Sequence, residues 1–209
     1  MPLKTLVKVS SIDNLSDARY CAGMGASMIG FAVDSACVHY VNPEQFKAIT
    51  QWIKGVAFIG ELNTTDLATA RYTLERYTLD GLQFNYPIAL QNIAHLEVPI
   101  LLKICLQGNE KLTSLHALMN TYAPYVKYFL FEAASAQEGA IISLQPAIHR
   151  LASYFPVLQG FHVSVATLPH LLGTKIEGIA LQRDIKTKLS CKDKDSDMLT
   201  DIIEYLSVE

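Results

Sequence analysis

Five ionisable side chains stand in or just beyond short apolar runs. They are Glu61 after Val56–Gly60, Lys103 within Pro99–Ile104, Glu132 after Phe129-Leu130-Phe131, His162 after Val157–Phe161 and Arg183 after Gly178–Leu181. Carboxyls and imidazoles move protons, while lysine and arginine hold anions. If the fold gathers the ends of these runs, they form a proton-transfer site with a cationic anchor. The structural alternatives are plain: an ion pair for Lys103, a hydrated or paired carboxylate for Glu132 and a solvated surface charge for Arg183. Ser10 follows the first run, Leu6–Val9. An alcohol is a weak acid, and no His or Lys is adjacent in sequence to activate it, so Ser10 reads as a poor general base.

The elements that must position these residues alternate from one end of the chain to the other. Short apolar runs suited to buried strands fall at Leu6–Val9, Ser27–Val33, Val56–Gly60, Gly81–Phe84, Pro99–Ile104, Val126–Phe131, Val157–Phe161 and Gly178–Leu181. Between them lie amphipathic stretches. The first is capped by Asn14 or Ser16, carries Ala18, Cys21 and Met24 inward and ends at Gly25. The second opens at Asn42-Pro43-Glu44 and sets Phe46, Ile49, Trp52 and Ile53 on one face. Others run from Thr65-Asp66 through Tyr77, and over Ile88–His95, Leu112–Tyr122, Leu144–Tyr154, Ala166–Leu172 and Asp197–Leu206. Continuous apolar strands alternating with helices indicate a parallel sheet covered on its outside. Eight such units point to a (β/α)8 TIM barrel, one domain over 1–209, rather than to an open flavodoxin-like sheet. No Gly-x-Gly-x-x-Gly follows the first strand, which weighs against a dinucleotide cofactor.

Composition narrows the partners. The chain has 209 residues, 50% hydrophobic and 18% charged, with a formal charge of -3. That balance gives no general attraction to nucleic acid or to an anionic membrane. The longest apolar runs fall far short of the roughly 20 residues that span a bilayer. Cys21, Cys37, Cys105 and Cys191 form no Cys-x-x-Cys pair and have no nearby His at metal-ligand spacing, so they read as reduced thiols. The opening Met1-Pro2-Leu3-Lys4-Thr5 does not read as an export signal, and a cytoplasmic location without metal or cofactor is expected. Tyr and Leu on the outer helices are compatible with a homodimer, though core packing explains them equally.

Several segments recur in order from one known family. Val7-Lys8-Val9-Ser10-Ser11-Ile12 matches a first strand ending Lys-(Ile/Val)-Cys-Gly-(Ile/Leu), and Met28-Ile29-Gly30-Phe31 matches a second strand with Gly-Phe. Cys37-Val38-His39-Tyr40-Val41-Asn42-Pro43-Glu44-Gln45 matches Ser-Pro-Arg-(Tyr/Phe)-Val-Ser-Pro-Glu-Gln, and Leu82-Gln83-Phe84-Asn85-Tyr86 matches Val-Gln-Leu-His-Gly. On these stretches the chain resembles the phosphoribosylanthranilate isomerases of tryptophan biosynthesis over roughly residues 6 to 105. Beyond them it rests on element order and on Lys192-Asp193 before the last helix.

The resemblance implies an Amadori rearrangement, in which an aminoaldose phosphate opens and becomes an aminoketose. It needs a base at the sugar C2 and an acid at the ring oxygen. The family's base position is occupied by Ser10 instead of Cys, and its acid position by Glu132 instead of Asp. The substrate-binding positions carried over are His39 in place of Arg, Asn85 in place of His, and Lys103, His162 and Arg183. The loops Phe161-His162-Val163-Ser164 and Leu181-Gln182-Arg183-Asp184 lack the family's phosphate-cradling glycines, and Ala133 to Gly139 replaces a Gly-Gly-Thr-Gly-like loop. Three readings follow: a sugar-phosphate isomerase with weakened parent activity, a non-catalytic barrel that binds a metabolite or partner, and new chemistry at the same mouth from Glu61, Lys103, Glu132, His162 and Arg183.

Overall fold

In the computed structural model, which describes residues 3–134, 138–182 and 198–207, eight parallel strands close in sequential order into a barrel. The strands are β1 (Leu6–Ser10), β2 (Met28–Ala32), β3 (Ala57–Leu62), β4 (Gly81–Phe84), β5 (Ile100–Leu106), β6 (Tyr128–Ala133), β7 (Val157–Gln159) and β8 (Gly178–Gln182). Closure is made by β1 against β8, in register from Leu6 opposite Gly178 to Ser10 opposite Gln182. The (β/α)8 expectation holds. Around the barrel run α1 (Leu15–Gly23), α2 (Pro43–Thr50), α3 (Leu67–Arg76), α4 (Leu90–Ile93), α5 (Leu112–Tyr122), α6 (Glu138–Ile142), α7 (Gln145–Leu151), α8 (Leu168–Leu172) and α9 (Met198–Leu206).

Helix starts follow their caps. The side chains of Asn14, Asn42 and Asp66 accept from the amides of Asp17, Gln45 and Thr69, satisfying donors that a first helical turn leaves unpaired. Of the two candidates for the first cap, Asn14 is the one used. Trp52 departs from expectation: α2 ends at Thr50, so Trp52 leaves the helical period, stays 62% exposed and lies under the Arg19 guanidinium. The helix expected over Leu144–Tyr154 is α7, shorter at Gln145–Leu151, and an additional helix, α6, precedes it. Strand β7 stops at Gln159 rather than Phe161, because the Gln159 amide donates to the Phe161 carbonyl and His162 turns the chain at φ 50°.

Most of the core lies between strands and helices, where Phe31, Phe46, Phe58 and Tyr77 meet edge to face. A separate apolar layer fills the barrel's interior: Met28, Ile59, Leu101, Leu130, Leu158 and Ala180. Strand side chains repeat every two residues, so the next inward positions toward the C-terminal ends are Gly30, Glu61, Lys103, Glu132, Gly160 and Gln182. This second layer is polar. It sits where catalytic residues of such barrels reside, at the C-terminal mouth.

Candidate active site

On the β1 to β3 side the polar layer is a closed cluster. Lys8 is fully buried, and its Nζ donates to Ser10 Oγ at 2.5 Å and to Glu61 Oε1 at 2.5 Å. The Ser11 amide donates to the other Glu61 oxygen at 3.3 Å, with Ser11 held at φ 60°. Burial pushes the Glu61 carboxyl up, but the Lys8 charge and hydrogen bonds from Lys8, Ser10 and Ser11 outweigh it and hold it below 4.5. Strand β2 lies between β1 and β3, and the pair crosses it at Gly30. A Cβ there would overlap the Glu61 carboxylate and come within 2.9 Å of Lys8 Nζ. No His or Lys is adjacent to Ser10 in sequence, yet its hydroxyl has a charged partner. Lys8 is two residues away, and in a strand that spacing puts both side chains on one face.

The opposite side carries a second ion pair. Lys103 Nζ lies 2.7 Å from Glu132 Oε2, and Gln182 Nε2 donates to Glu132 Oε1 at 2.7 Å. Gly160 leaves room for this carboxyl, since a Cβ there would come within 2.9 Å of Glu132 Cγ. Glu132, Gly160, His162, Ser164, Ala180 and Gln182 border a cavity of about 510 Å³ over the ends of β6, β7 and β8. A larger depression, about 880 Å³, lies at the other end of the barrel beside Lys4, Lys175 and Glu177. We place the site in the smaller one, because ionisable groups converge there and the N-terminal face of such barrels serves stability.

The two clusters adjoin. Ser11 Oγ donates to Gln182 Oε1 at 3.4 Å, so Gln182 links the loop after β1 to Glu132. The remaining candidates are spread around the mouth. His39 Nδ1 lies 3.2 Å from Asp13 Oδ2, across the loops after β1 and β2. Asn85 accepts from Gln83 Nε2 at 2.7 Å and donates to Asn63 Oδ1 at 2.5 Å, while Asn63 donates to Cys37 Sγ at 3.0 Å. This chain of amides leaves Gln83 Oε1 buried without a partner. His162 borders the cavity with its Nδ1 3.3 Å from Gln145 Oε1. Arg183 and Cys191 lie outside the described residues, as does most of the loop after β6. Lys103 and Glu132 are thus brought together, whereas Glu61 pairs away from them with Lys8. The sequence reading missed Lys8, Gln83 and Gln182, which polar residues two positions from Ser10, Asn85 and Ala180 could have signalled.

Among the described residues, no group of three His, Cys, Asp or Glu converges to hold a metal, and Cys37 and Cys105 are free thiols. No described helix is long and apolar enough to cross a membrane.

No family model matches the chain, and no curated protein matches it in sequence. Solved structures do match in fold. N-(5'-phosphoribosyl)anthranilate isomerase from Pyrococcus furiosus aligns with a TM-score of 0.74 at 12% identity, over 97% of this chain and 98% of that one. A phosphoribosylanthranilate isomerase solved with reduced 1-(o-carboxyphenylamino)-1-deoxyribulose 5-phosphate aligns at 0.70 and 14% identity, over 97% and 98%. A 3-hexulose-6-phosphate synthase aligns at 0.69 and 12%, over 97% and 100%. At these identities the likeness is one of fold, shared by barrels of different named activities, and the chain has the (β/α)8 architecture of the phosphoribosylanthranilate isomerases along nearly its whole length.

Proposed function

We propose that this chain is a phosphoribosylanthranilate isomerase-like barrel that takes a small sugar phosphate over the ends of β6, β7 and β8. Its Amadori-type aldose-ketose isomerisation is slow, because an alcohol stands at the base position. The observation that carries this reading is the Lys103–Glu132–Gln182 constellation at the edge of the 510 Å³ cavity. Glu132 is at the family's acid position, where its carboxyl supplies a proton for a departing ring oxygen, and Lys103 beside it is a substrate contact. Positive charge for the phosphate comes from Arg183, with His162, His39 and Asn85 as further contacts. The chain acts in the cytoplasm, as reduced thiols favour, alone or as a homodimer, and no nucleic acid or membrane enters the reading.

The test pairs binding with turnover. The reduced deoxyribulose 5-phosphate analogue, added in thermal unfolding, raises the midpoint of the wild type, since a ligand that binds only the folded state stabilises it. Fluorescence then follows consumption of N-(5'-phosphoribosyl)anthranilate, and Glu132→Gln lowers turnover by about 100-fold or more. No shift with millimolar analogue overturns the reading. A second reading, a binding barrel without catalysis, is favoured by the sealing of Ser10, which is only 2% exposed. Binding without turnover selects it.

A further inference from the structure

The isomerase reading leaves the base unassigned, because Ser10 is an alcohol, is 2% exposed and does not border the cavity over β6, β7 and β8. We infer that His162, on the loop after β7, is the catalytic base of this barrel, with Gln145 as its positioning residue. The inference rests on the isomerase reading and names the group which that reading lacks.

Three observations carry it. Of the described residues that border the cavity, only Glu132 and His162 have side chains that exchange protons at ordinary pH. Aldose-ketose isomerisation needs one acid and one base. With Glu132 at the acid position, His162 is left for the base.

The ring is also oriented. Its Nδ1 lies 3.3 Å from the Oε1 of Gln145, the first residue of α7. A carboxamide oxygen only accepts, so Nδ1 carries the proton and the neutral ring keeps its lone pair on Nε2. Among the described residues Nε2 has no hydrogen-bond partner, which leaves that lone pair for a ligand.

The backbone is the third observation. His162 turns at φ 50°, a left-handed conformation that side chains rarely adopt and that gathers at functional sites. The turn is braced from both sides. Gln159 Nε2 donates to the Phe161 carbonyl at 3.0 Å, Thr167 Oγ1 reaches the His162 carbonyl at 3.0 Å, and the Ser164 amide donates to Thr167 Oγ1 at 2.9 Å. Asparagine suits such a turn as well as histidine does. A turn alone needs no imidazole, whereas a base does.

The steps balance. The Glu132 carboxyl protonates the ring oxygen, the C1–O bond breaks and an iminium forms at C1. The C2–H bond then breaks with its proton passing to His162 Nε2, and its electron pair forms the C1–C2 double bond as the iminium nitrogen becomes neutral. The imidazolium returns that proton to C1 while the C2 hydroxyl gives its own to the Glu132 carboxylate. The product is the aminoketose, and both residues end as they began.

The experiment separates the ring from the turn. Turnover of N-(5'-phosphoribosyl)anthranilate, binding of the reduced deoxyribulose 5-phosphate analogue and thermal midpoint are measured for wild type, His162→Asn, His162→Gly, Gln145→Leu and His162→Gly/Gln145→Leu. His162→Asn keeps the turn without a basic nitrogen, and kcat falls by about 100-fold or more while analogue binding changes only a few-fold. His162→Gly also relaxes the backbone, and millimolar imidazole restores part of its turnover. Gln145→Leu lowers kcat in the His162 chain and costs nothing further in the His162→Gly chain, where no ring remains to orient.

Turnover in His162→Asn within a few-fold of wild type overturns the inference. Parallel loss of binding and turnover makes His162 a ligand contact only and overturns it as well, as does failure of imidazole to act on His162→Gly. A wild type that binds the analogue and turns nothing over has no base to assign, with the same consequence. Absence of analogue binding in the wild type instead overturns the isomerase reading itself.

Discussion

Gly30 faces the Lys8–Glu61 pair so closely that any side chain there would occupy the carboxylate's place. Gly30→Ala therefore does more than add a methyl group. It displaces Glu61 from Lys8 in a site with no solvent to replace the lost partner, combining overpacking with a broken buried ion pair. A loss of about 3 kcal/mol or more is expected, lowering the thermal midpoint by roughly 6–12 °C for a chain of this size. Differential scanning calorimetry reads it, and an unchanged midpoint contradicts the crowding.

Removing one member of that pair is worse than removing both. Lys8→Met leaves a buried carboxylate alone, at a cost of about 3–5 kcal/mol, whereas Lys8→Met/Glu61→Leu restores an apolar interior and comes near neutral. Urea unfolding of the two variants shows the difference, and an equal loss in both argues that the ion pair is not the source.

The same carboxyl makes the fold acid-sensitive. Glu61 is held below 4.5 in the folded chain, so its stabilisation is complete above that pH and is lost as pH falls through the folded value, where the unfolded chain takes up the proton first. The wild-type urea midpoint declines below about pH 4.5 more steeply than that of Lys8→Met/Glu61→Leu.

Ser11 adopts φ 60°, where the family pattern places glycine. A side chain in the left-handed region costs about 1–2 kcal/mol, partly offset by the greater freedom of glycine in the unfolded chain. Ser11→Gly gains about 1 kcal/mol, raising the midpoint by roughly 2–4 °C. A drop would show that the Ser11 hydroxyl's bond to Gln182 outweighs the backbone strain.

His149 on α7 carries a second pH signature. Burial lowers its pKa from 6.5, with the neighbouring His170 ring adding to the effect and the Gln159 bond opposing it. The folded chain thus prefers the neutral imidazole, and stability is lost as pH falls from 6.5 through the folded value. His149→Gln flattens this part of the stability profile, measured by urea midpoints between about pH 7.5 and 5.5.

The barrel was legible because its signals are local. Each strand is a short apolar run, the first three helices open on Asn14, Asn42 and Asp66 caps, and eight repeats of the pair leave few topologies with right-handed connections. Lys103 could be placed from its strand for the same reason, while Glu132 at the end of β6 was placed by the family resemblance. Where the sequence misled, a local pattern met a boundary set by distant contacts. Trp52 continued the apolar face of α2 on paper, yet the helix had already ended at Thr50.

By itself, then, the amino-acid order determined the strands, the caps, the barrel and the inward-facing positions, including the shared face of Lys8 and Ser10. Only the tertiary structure decided which charges meet. Lys8 and Glu61 are separated by 53 residues and by the whole of β2, and they touch because Gly30 opens the space between them. Pairing across a barrel interior depends on strand order, register and the volume left by intervening side chains, none of which is written in the spacing of either residue.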